Sequence, residues 1–280
     1  MKTAAWKSAF CSLAAALLLA GCGAPAETEI IKEESPAMPT AAVETAAPVT
    51  PSPEPTPTPV PLLGIPAGDY QKRFDCEENG QWLDYYVFVP ENACEGLPLI
   101  IYLHGDGMTS RLDWLPDHDI AKMAKEAYGY DFPFILLTPN NRYPEWYNGG
   151  MNVTLKNLID TVAADYKCDL SKIIITGHSR GAIATWQMAD EFGTFFSCAV
   201  PVSCGANKIH GENFIGVPVN AFVGTGEMDQ SCYRRDMKYF VELINSAGGQ
   251  ASLTEIEGHD HDTMCTAPYT KELFEWMISQ

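Results

Sequence analysis

The second half of the chain contains the stretch Ile173-Ile174-Ile175-Thr176-Gly177-His178-Ser179-Arg180-Gly181-Ala182. Three β-branched residues run into a Gly-x-Ser-x-Gly motif, and helix-forming residues follow up to Glu191. This pattern predicts a buried strand, a very tight turn and a helix, with Ser179 at the apex of the turn. Gly177 and Gly181 are required because a Cβ at either position would collide with the neighbouring strand or helix. We therefore expect a strained backbone at Ser179 and its hydroxyl at the helix N-terminus.

The motif has only three fixed positions, so on its own it is weak evidence for a reactive serine. An ordinary glycine-rich turn between a strand and a helix can contain it by chance. The strand before it and the helix after it favour a reactive serine. A serine hydroxyl is a poor nucleophile near neutral pH, so it needs a base within hydrogen-bonding distance and a third group that orients the base. The rest of the chain must supply both.

Residues 1–61 differ in composition from the remainder of the chain. Lys2 and Lys7 precede an apolar run from Ala9 to Ala20, which is too short for a comfortable membrane span and is typical of a signal peptide. The ending Leu19-Ala20-Gly21-Cys22 resembles the lipobox of bacterial lipoproteins, and this resemblance implies a fatty acyl (palmitate-type) anchor on Cys22 at a bacterial cell surface. A plain secretory signal with a chance cysteine is the alternative.

The next segment, residues 23–61, is rich in proline and threonine and lacks apolar periodicity. It cannot form a core, and its alternating prolines favour an extended, disordered stalk. Residues 62–280 are then long enough for one domain with a sizeable core. The whole chain has a net charge of −18, to which residues 1–22 contribute +2 and the stalk −5, which leaves −15 for the domain. This charge disfavours nucleic acid as a partner and is compatible with neutral substrates.

Nine cysteines occur, and seven of them lie in the predicted domain. An odd number prevents complete intramolecular pairing, and the absence of a CxxC motif argues against a thiolate zinc site. We expect at most two disulfides, with Cys232 and Cys265 as the candidate pair. No cofactor is expected, and the oligomeric state stays open.

Apolar runs and helical stripes alternate along the domain. This alternation predicts a mostly parallel sheet covered by helices on both faces. The predicted strands are 84–89, 97–103, 134–137, 172–176, 198–202, 217–223 and 251–256. The predicted helices are 120–127, 152–166, 182–191, 233–247 and 269–278.

The loops after the last two predicted strands supply candidates for the acid and the base, in the order in which such folds place them. Asp229 is the preferred acid, since a loop that reaches back needs a few residues after the strand, and Glu227 is its rival. His259 is the preferred base because it comes first and follows a glycine, and His261 competes with it. The two histidines with Asp260 and Asp262 could also suggest a metal site, but no further ligands are evident, so we predict no metal.

The loop after strand 97–103 reads His104-Gly105-Asp106-Gly107. Glycines allow the backbone to approach a substrate oxygen, so the N–H groups of Asp106 and Arg180 are the expected oxyanion donors. His104 could act as a second base, but at this position we expect it to be buried and to brace the loop.

Over about residues 70–280, the chain resembles the α/β-hydrolase esterases. The resemblance is carried by Leu103 to Gly107, Gly177 to Gly181, Asp229 and Gly258-His259-Asp260. The resemblance is strongest to polyhydroxybutyrate depolymerase-like and to feruloyl and acetylxylan esterase-like proteins. It implies an α/β-hydrolase fold with no large lid domain and a shallow pocket. The large Arg180 beside the serine and the acidic Asp106 depart from that pattern and leave the shape of the substrate pocket open.

Three aromatic residues, Trp114, Trp146 and Tyr147, could line that pocket and suit sugar or phenolic groups, or they could simply pack the loops. The predicted activity is hydrolysis of carboxylic esters, including carbohydrate-linked acetyl or feruloyl esters, through an acyl-enzyme. The alternatives are a serine peptidase of the same fold and an inactive binding module on the cell surface.

Overall fold

The computed structural model describes residues 62–91, 93–106, 111–142, 145–226 and 233–280. The predicted signal peptide, the predicted stalk and the lipidation site Cys22 lie outside the described residues, and they stay predictions. Glu227, Asp229 and Cys232 also fall outside them.

In the part of the chain that the structure describes, eight strands form one sheet in the order β1-β2-β4-β3-β5-β6-β7-β8. The first three strands in this order pair antiparallel, and the remaining neighbours pair parallel, as the alternation of strands and helices predicts. The strands are β1 (Gly68–Asp75), β2 (Trp82–Val89), β3 (Leu99–Leu103), β4 (Ile135–Asn140), β5 (Ile173–His178), β6 (Cys198–Val202), β7 (Val219–Gly224) and β8 (Ala251–Ile256).

Within the described residues, five α-helices cover both faces of this sheet. They are α1 (Asp119–Tyr128), α2 (Met151–Asp165), α3 (Arg180–Phe192), α4 (Arg234–Ser246) and α5 (Lys271–Ser279). The apolar residues of α2, α3 and α4 share one core cluster with Ile173 and Ile175, whereas those of α1 and α5 share the other with Ile174. Successive residues of β5 therefore face opposite cores, which explains the uninterrupted apolar run of this strand.

The fold confirms the predicted α/β architecture. In the described ranges, no further domain is inserted between these elements. None of the described helices has the length and the apolar character that crossing a membrane would require.

One strand was not predicted. Strand β1 reads Gly-Asp-Tyr-Gln-Lys-Arg-Phe-Asp and lies at the edge of the sheet, paired only with β2 among the described strands. Its side chains are mostly half-buried or exposed, so it lacks the apolar pattern by which a buried strand is predicted.

Most of the described cysteines are not in disulfides. Free thiols are found at Cys76, Cys94, Cys168, Cys198 and Cys265. Of the suggested pair, Cys265 is a free thiol, and Cys232 lies outside the described residues. Burial raises the pKa of the Cys168, Cys198 and Cys265 thiols to about 12, so these three stay protonated near neutral pH.

Candidate active site

The turn between β5 and α3 has the strained geometry that its sequence predicts. Ser179 has φ 57° and ψ −116°, a positive-φ conformation that is uncommon outside glycine. Its N–H donates to the carbonyl oxygen of Val202 at 3.0 Å, and its own carbonyl accepts from Ala182 and Ile183 at 2.9 and 3.1 Å. These bonds hold the turn in place against its strain.

Two glycines make this turn possible. A Cβ on Gly177 would lie 2.6 Å from the backbone of Gly181, and a Cβ on Gly181 would lie 1.8 Å from the carbonyl oxygen of Leu103. Contacts this short cannot be accommodated without a shift of the backbone. The prediction that both positions require glycine is confirmed.

The imidazole that faces the serine belongs to His261. Its Nε2 atom lies 2.9 Å from Ser179 Oγ, a hydrogen-bonding distance. The preference for His259 as the base is therefore corrected in favour of His261.

The loop after β8 explains this outcome. Gly258 has φ 78°, and its N–H donates to Thr225 Oγ1 at 2.9 Å, while the carbonyl of His259 accepts from the N–H of Gly226 at 2.9 Å. Asp260 then accepts from the N–H of Thr263 at 2.9 Å. His259 is thus part of the turn that joins this loop to the loop after β7, and its Nδ1 is buried without a hydrogen bond in the described structure.

Two aromatic residues that the sequence did not single out hold His261 in position. Nε2 of His178, the residue directly before the serine, lies 2.7 Å from the carbonyl oxygen of His261, a distance at which the ring N–H donates to that oxygen. The His178 ring lies 4.8 Å from the His261 ring between centroids, and the ring of Tyr233, directly before α4, lies 5.2 Å from it. The only sequence signal for His178 is its place inside the Gly-x-Ser-x-Gly motif.

The loop after β3 lies directly against the serine turn. β3 pairs with β5, and Leu103 is opposite Gly177. A Cβ on Gly105 would lie 3.1 Å from the Cβ of Ser179, so glycine allows the close approach that was expected there. The carboxylate of Asp106 forms an ion pair with Nε of Arg180. The two departures from the esterase pattern therefore pair with each other.

His104 is buried and braces this loop, as expected from its position. Its Nδ1 lies 2.7 Å from the carbonyl oxygen of Gly105, and its Nε2 accepts from the N–H of Asn141 at 3.1 Å. This pair of contacts requires a neutral ring protonated on Nδ1. Burial lowers the pKa of His104 to about 4, which keeps the ring uncharged near neutral pH.

A cleft of about 500 Å³ opens above Ser179. Trp114 belongs to its wall, as the sequence suggested, although the indole ring stacks on His118 at 4.5 Å and has the guanidinium of Arg111 3.5 Å from its centroid. The cleft is lined by Gly105, Asp106, Trp114, His118, Asp119, His178, Ser179, Tyr233, His261, Asp262 and Cys265.

Trp146 and Tyr147 do not line the serine cleft. They line a neighbouring cavity of about 300 Å³ together with Arg180. Trp146 is 3% exposed, and its indole N–H donates to the carbonyl oxygen of His104 at 2.9 Å, which shows that it packs the loop. The hydroxyl of Tyr147 donates to Glu191 at 2.5 Å. Their proposed contact with substrate in the serine cleft is corrected on this geometry.

Asp229 and Glu227, the two candidates for the acid of the predicted triad, lie outside the described residues. Within the ranges that the structure describes, no group of three His, Cys, Asp or Glu side chains could hold a metal ion.

No protein-family model matches the chain. Acetylxylan esterase A of Aspergillus oryzae is 25% identical to it over 173 residues, which cover 58% of the chain and 50% of the relative. Acetylxylan esterase A of Aspergillus awamori is 27% identical over 149 residues, which cover 49% of the chain and 47% of the relative. The chain thus spans about half the length of the curated relatives it matches.

Solved structures show the same fold. A thermostable esterase superposes with a TM-score of 0.61 at 22% identity and covers 76% of this chain and 63% of its own. The feruloyl esterase module of Clostridium thermocellum superposes with a TM-score of 0.57 at 14% identity, over 70% of this chain and 82% of its own. The chain has the α/β-hydrolase fold, and the resemblance to esterases in its sequence is confirmed.

The two histidines of the loop after β8 can be separated with a covalent probe. We expect His261→Ala to slow the labelling of Ser179 by a fluorophosphonate at least about 100-fold, because the hydroxyl loses its base. His259→Ala should stay within a few-fold of the unmodified chain, and Ser179→Ala should not be labelled at all. Equal slowing by the two histidine substitutions, with thermal unfolding unchanged in both, would contradict the assignment.

The buried His104 predicts a pH dependence of stability. Its pKa is lower in the folded protein, about 4, than the ordinary value of 6.5, so the unfolded state takes up a proton that the folded state does not. Stability should therefore fall as pH falls from about 6.5 to 4. His104→Gln cannot titrate, so between pH 7 and 4 urea unfolding should lose about 3 kcal/mol less in this variant. Identical pH slopes for the two proteins would show that His104 does not make this contribution.

Proposed function

We propose that this chain is a serine hydrolase that cleaves carboxylic esters. The observation that carries the proposal is the 2.9 Å contact between Ser179 Oγ and His261 Nε2 at the tip of a strained turn. In this proposal His261 removes the proton of Ser179 as the hydroxyl oxygen attacks the ester carbonyl carbon. The same imidazole then gives the proton to the leaving alcohol, and an acyl-enzyme remains.

The second half of the reaction uses the same groups. His261 removes a proton from water as the water oxygen attacks the acyl carbon. The bond between that carbon and Ser179 Oγ then breaks, and His261 returns the proton to Ser179. Both halves create a negative charge on the former carbonyl oxygen. We assign its stabilisation to the main-chain N–H groups of Asp106 and Arg180. The position of Gly105 against Ser179, and the place of Arg180 as the first residue of α3, support this assignment.

Asp229 is our proposed orienting acid. The segment 227–232 that contains it is flanked by two residues that contact the loop of His261. Gly226 donates its N–H to the carbonyl of His259 at 2.9 Å, and Tyr233 packs its ring 5.2 Å from the ring of His261.

The substrate class follows from the relatives and from charge. The related acetylxylan esterases act on acetylated xylan by name, and we propose a carbohydrate-linked acyl ester for this chain as well. The domain has a net charge of −15 by its sequence, so it would repel anionic substrates. The ester group of an acylated xylan is neutral and meets no such repulsion. We propose further that Cys22 bears a lipid and that the domain acts outside the cytoplasm on a proline-rich stalk.

Ester hydrolysis can be tested directly with p-nitrophenyl acetate, methyl ferulate and an aminoacyl p-nitroanilide. We expect turnover of an ester, and Ser179→Ala should lower it by at least about 1,000-fold, because the nucleophile is lost. Turnover of the anilide in preference to the esters would instead indicate a peptidase. Absence of turnover together with absence of fluorophosphonate labelling would indicate an inactive fold.

The acid is tested by a pair of neighbouring carboxylates. We expect Asp229→Asn to lower kcat on p-nitrophenyl acetate by about 1,000-fold or more, since the imidazole loses the group that fixes its tautomer. Glu227→Gln, two residues away in the same segment, is the matched control and should change kcat only a few-fold. The reverse order of the two effects would assign the acid to Glu227.

A further inference from the structure

We propose that Asp119 forms a binding subsite for a hydroxyl group of the alcohol part of the ester, so that the serine cleft selects uncharged, polyhydroxylated alcohols. This inference rests on the proposed function. It identifies the part of the substrate that the cleft recognises, beyond the acyl group that reacts with Ser179.

Asp119 is a buried carboxyl that the proposed mechanism does not use. It lines the same cleft as Ser179, and only 9% of the residue is exposed. Its Oδ2 accepts a hydrogen bond from the hydroxyl of Tyr102 at 2.9 Å. The thiol of Cys265 also donates a hydrogen bond to this carboxyl. A carboxylate offers about four acceptor sites, so these two internal donors leave capacity for a hydroxyl group of a ligand in the cleft that Asp119 lines.

The backbone of Asp119 is strained as well. Its φ of 48° places it in the left-handed region, and Ser179, at the other side of the same cleft, also has a positive φ. A residue other than glycine pays on the order of 1 kcal/mol or more for such a conformation, and residues of this kind cluster at binding and catalytic sites. Helix capping does not explain the strain, because His118 is the cap of α1 and makes no side-chain cap hydrogen bond.

The charges around the cleft define the ligand that fits. The lining includes three carboxyl groups, those of Asp106, Asp119 and Asp262, and no lysine or arginine among the described lining residues. Because Asp106 is ion-paired with Arg180, an anionic alcohol would meet the like charges of Asp119 and Asp262 there. Hydroxyl groups can donate to a carboxyl oxygen without bringing a charge into the cleft, and hydrogen bonds to charged acceptors are among the stronger ones.

Tyr102 and Cys265 are the internal donors to the Asp119 carboxyl, and they do not fill all of its acceptor sites. Burial raises the pKa of the Asp119 carboxyl, while Tyr102, Cys265 and the nearby His118 lower it. Burial and the Asp119 charge raise the pKa of the Cys265 thiol to about 12, and the pKa of Tyr102 lies well above its ordinary value. Both neighbours thus stay neutral.

The test compares two acetate esters of similar size that differ in hydroxyl groups, a mono-acetylated methyl β-D-xylopyranoside and cyclohexyl acetate. The measured quantity is the ratio of their kcat/KM values. We expect Asp119→Ala to lower this ratio about tenfold through KM for the xyloside, with Asp119→Asn between it and the unmodified chain, because an amide oxygen is a weaker acceptor.

Tyr102→Phe is the matched control, because it removes the internal donor to the carboxyl and leaves the carboxyl in place. Its ratio should stay close to that of the unmodified chain. Equal losses on both esters in the Asp119 variants, or an unchanged ratio in a folded Asp119→Asn, would overturn the subsite. Failure of the unmodified chain to cleave either ester would overturn the proposed function itself, and these results are therefore distinguishable.

Discussion

The close contact between the end of β3 and the start of α3 is the constraint on which this site depends. A Cβ on Gly181 would lie 1.8 Å from the carbonyl oxygen of Leu103, so the helix can begin there only with glycine. The chain has to turn from β5 into α3 within one residue, and Ser179 takes the strain of that turn. The same contact brings the loop after β3 against the serine, since a Cβ on Gly105 would lie 3.1 Å from that of Ser179.

The base is held by the same short segment. His178 is fixed in the buried end of β5, and its ring nitrogen lies 2.7 Å from the carbonyl oxygen of His261. Strands β6 and β7 lie between β8 and β5, so the loop after β8 must extend past both of them to reach Ser179. The hydrogen bond between His178 and the carbonyl of His261 fixes the position of this loop at β5. The residues that flank Ser179 thus position two groups around it. These are the loop after β3, which carries an expected oxyanion donor, and the imidazole of His261.

Much of the fold was predictable because burial leaves a simple pattern. The apolar runs of the parallel strands, the glycines of the turn and the order of the later loops all follow from local sequence. The edge strand β1 was missed because all of its residues are half-buried or exposed, so it has no buried apolar run. The choice between His259 and His261 depended on two hydrogen bonds to residues more than 30 positions earlier: Gly226 donates its N–H to His259, and Thr225 accepts from the N–H of Gly258. No local pattern contains that information, and the same holds for the burial of Trp146 under His104.

The ion pair of Arg180 and Asp106 shows how the two unusual residues of the motif can coexist. An unpaired arginine next to the serine would attract the anions that a cleft lined by carboxyl groups repels. Pairing neutralises it at the boundary between the serine cleft and the neighbouring cavity of about 300 Å³. Both side chains are partly exposed, and such pairs contribute about 0–1 kcal/mol to stability. Their significance is therefore positional, because Arg180 lines the neighbouring cavity and Asp106 lines the serine cleft.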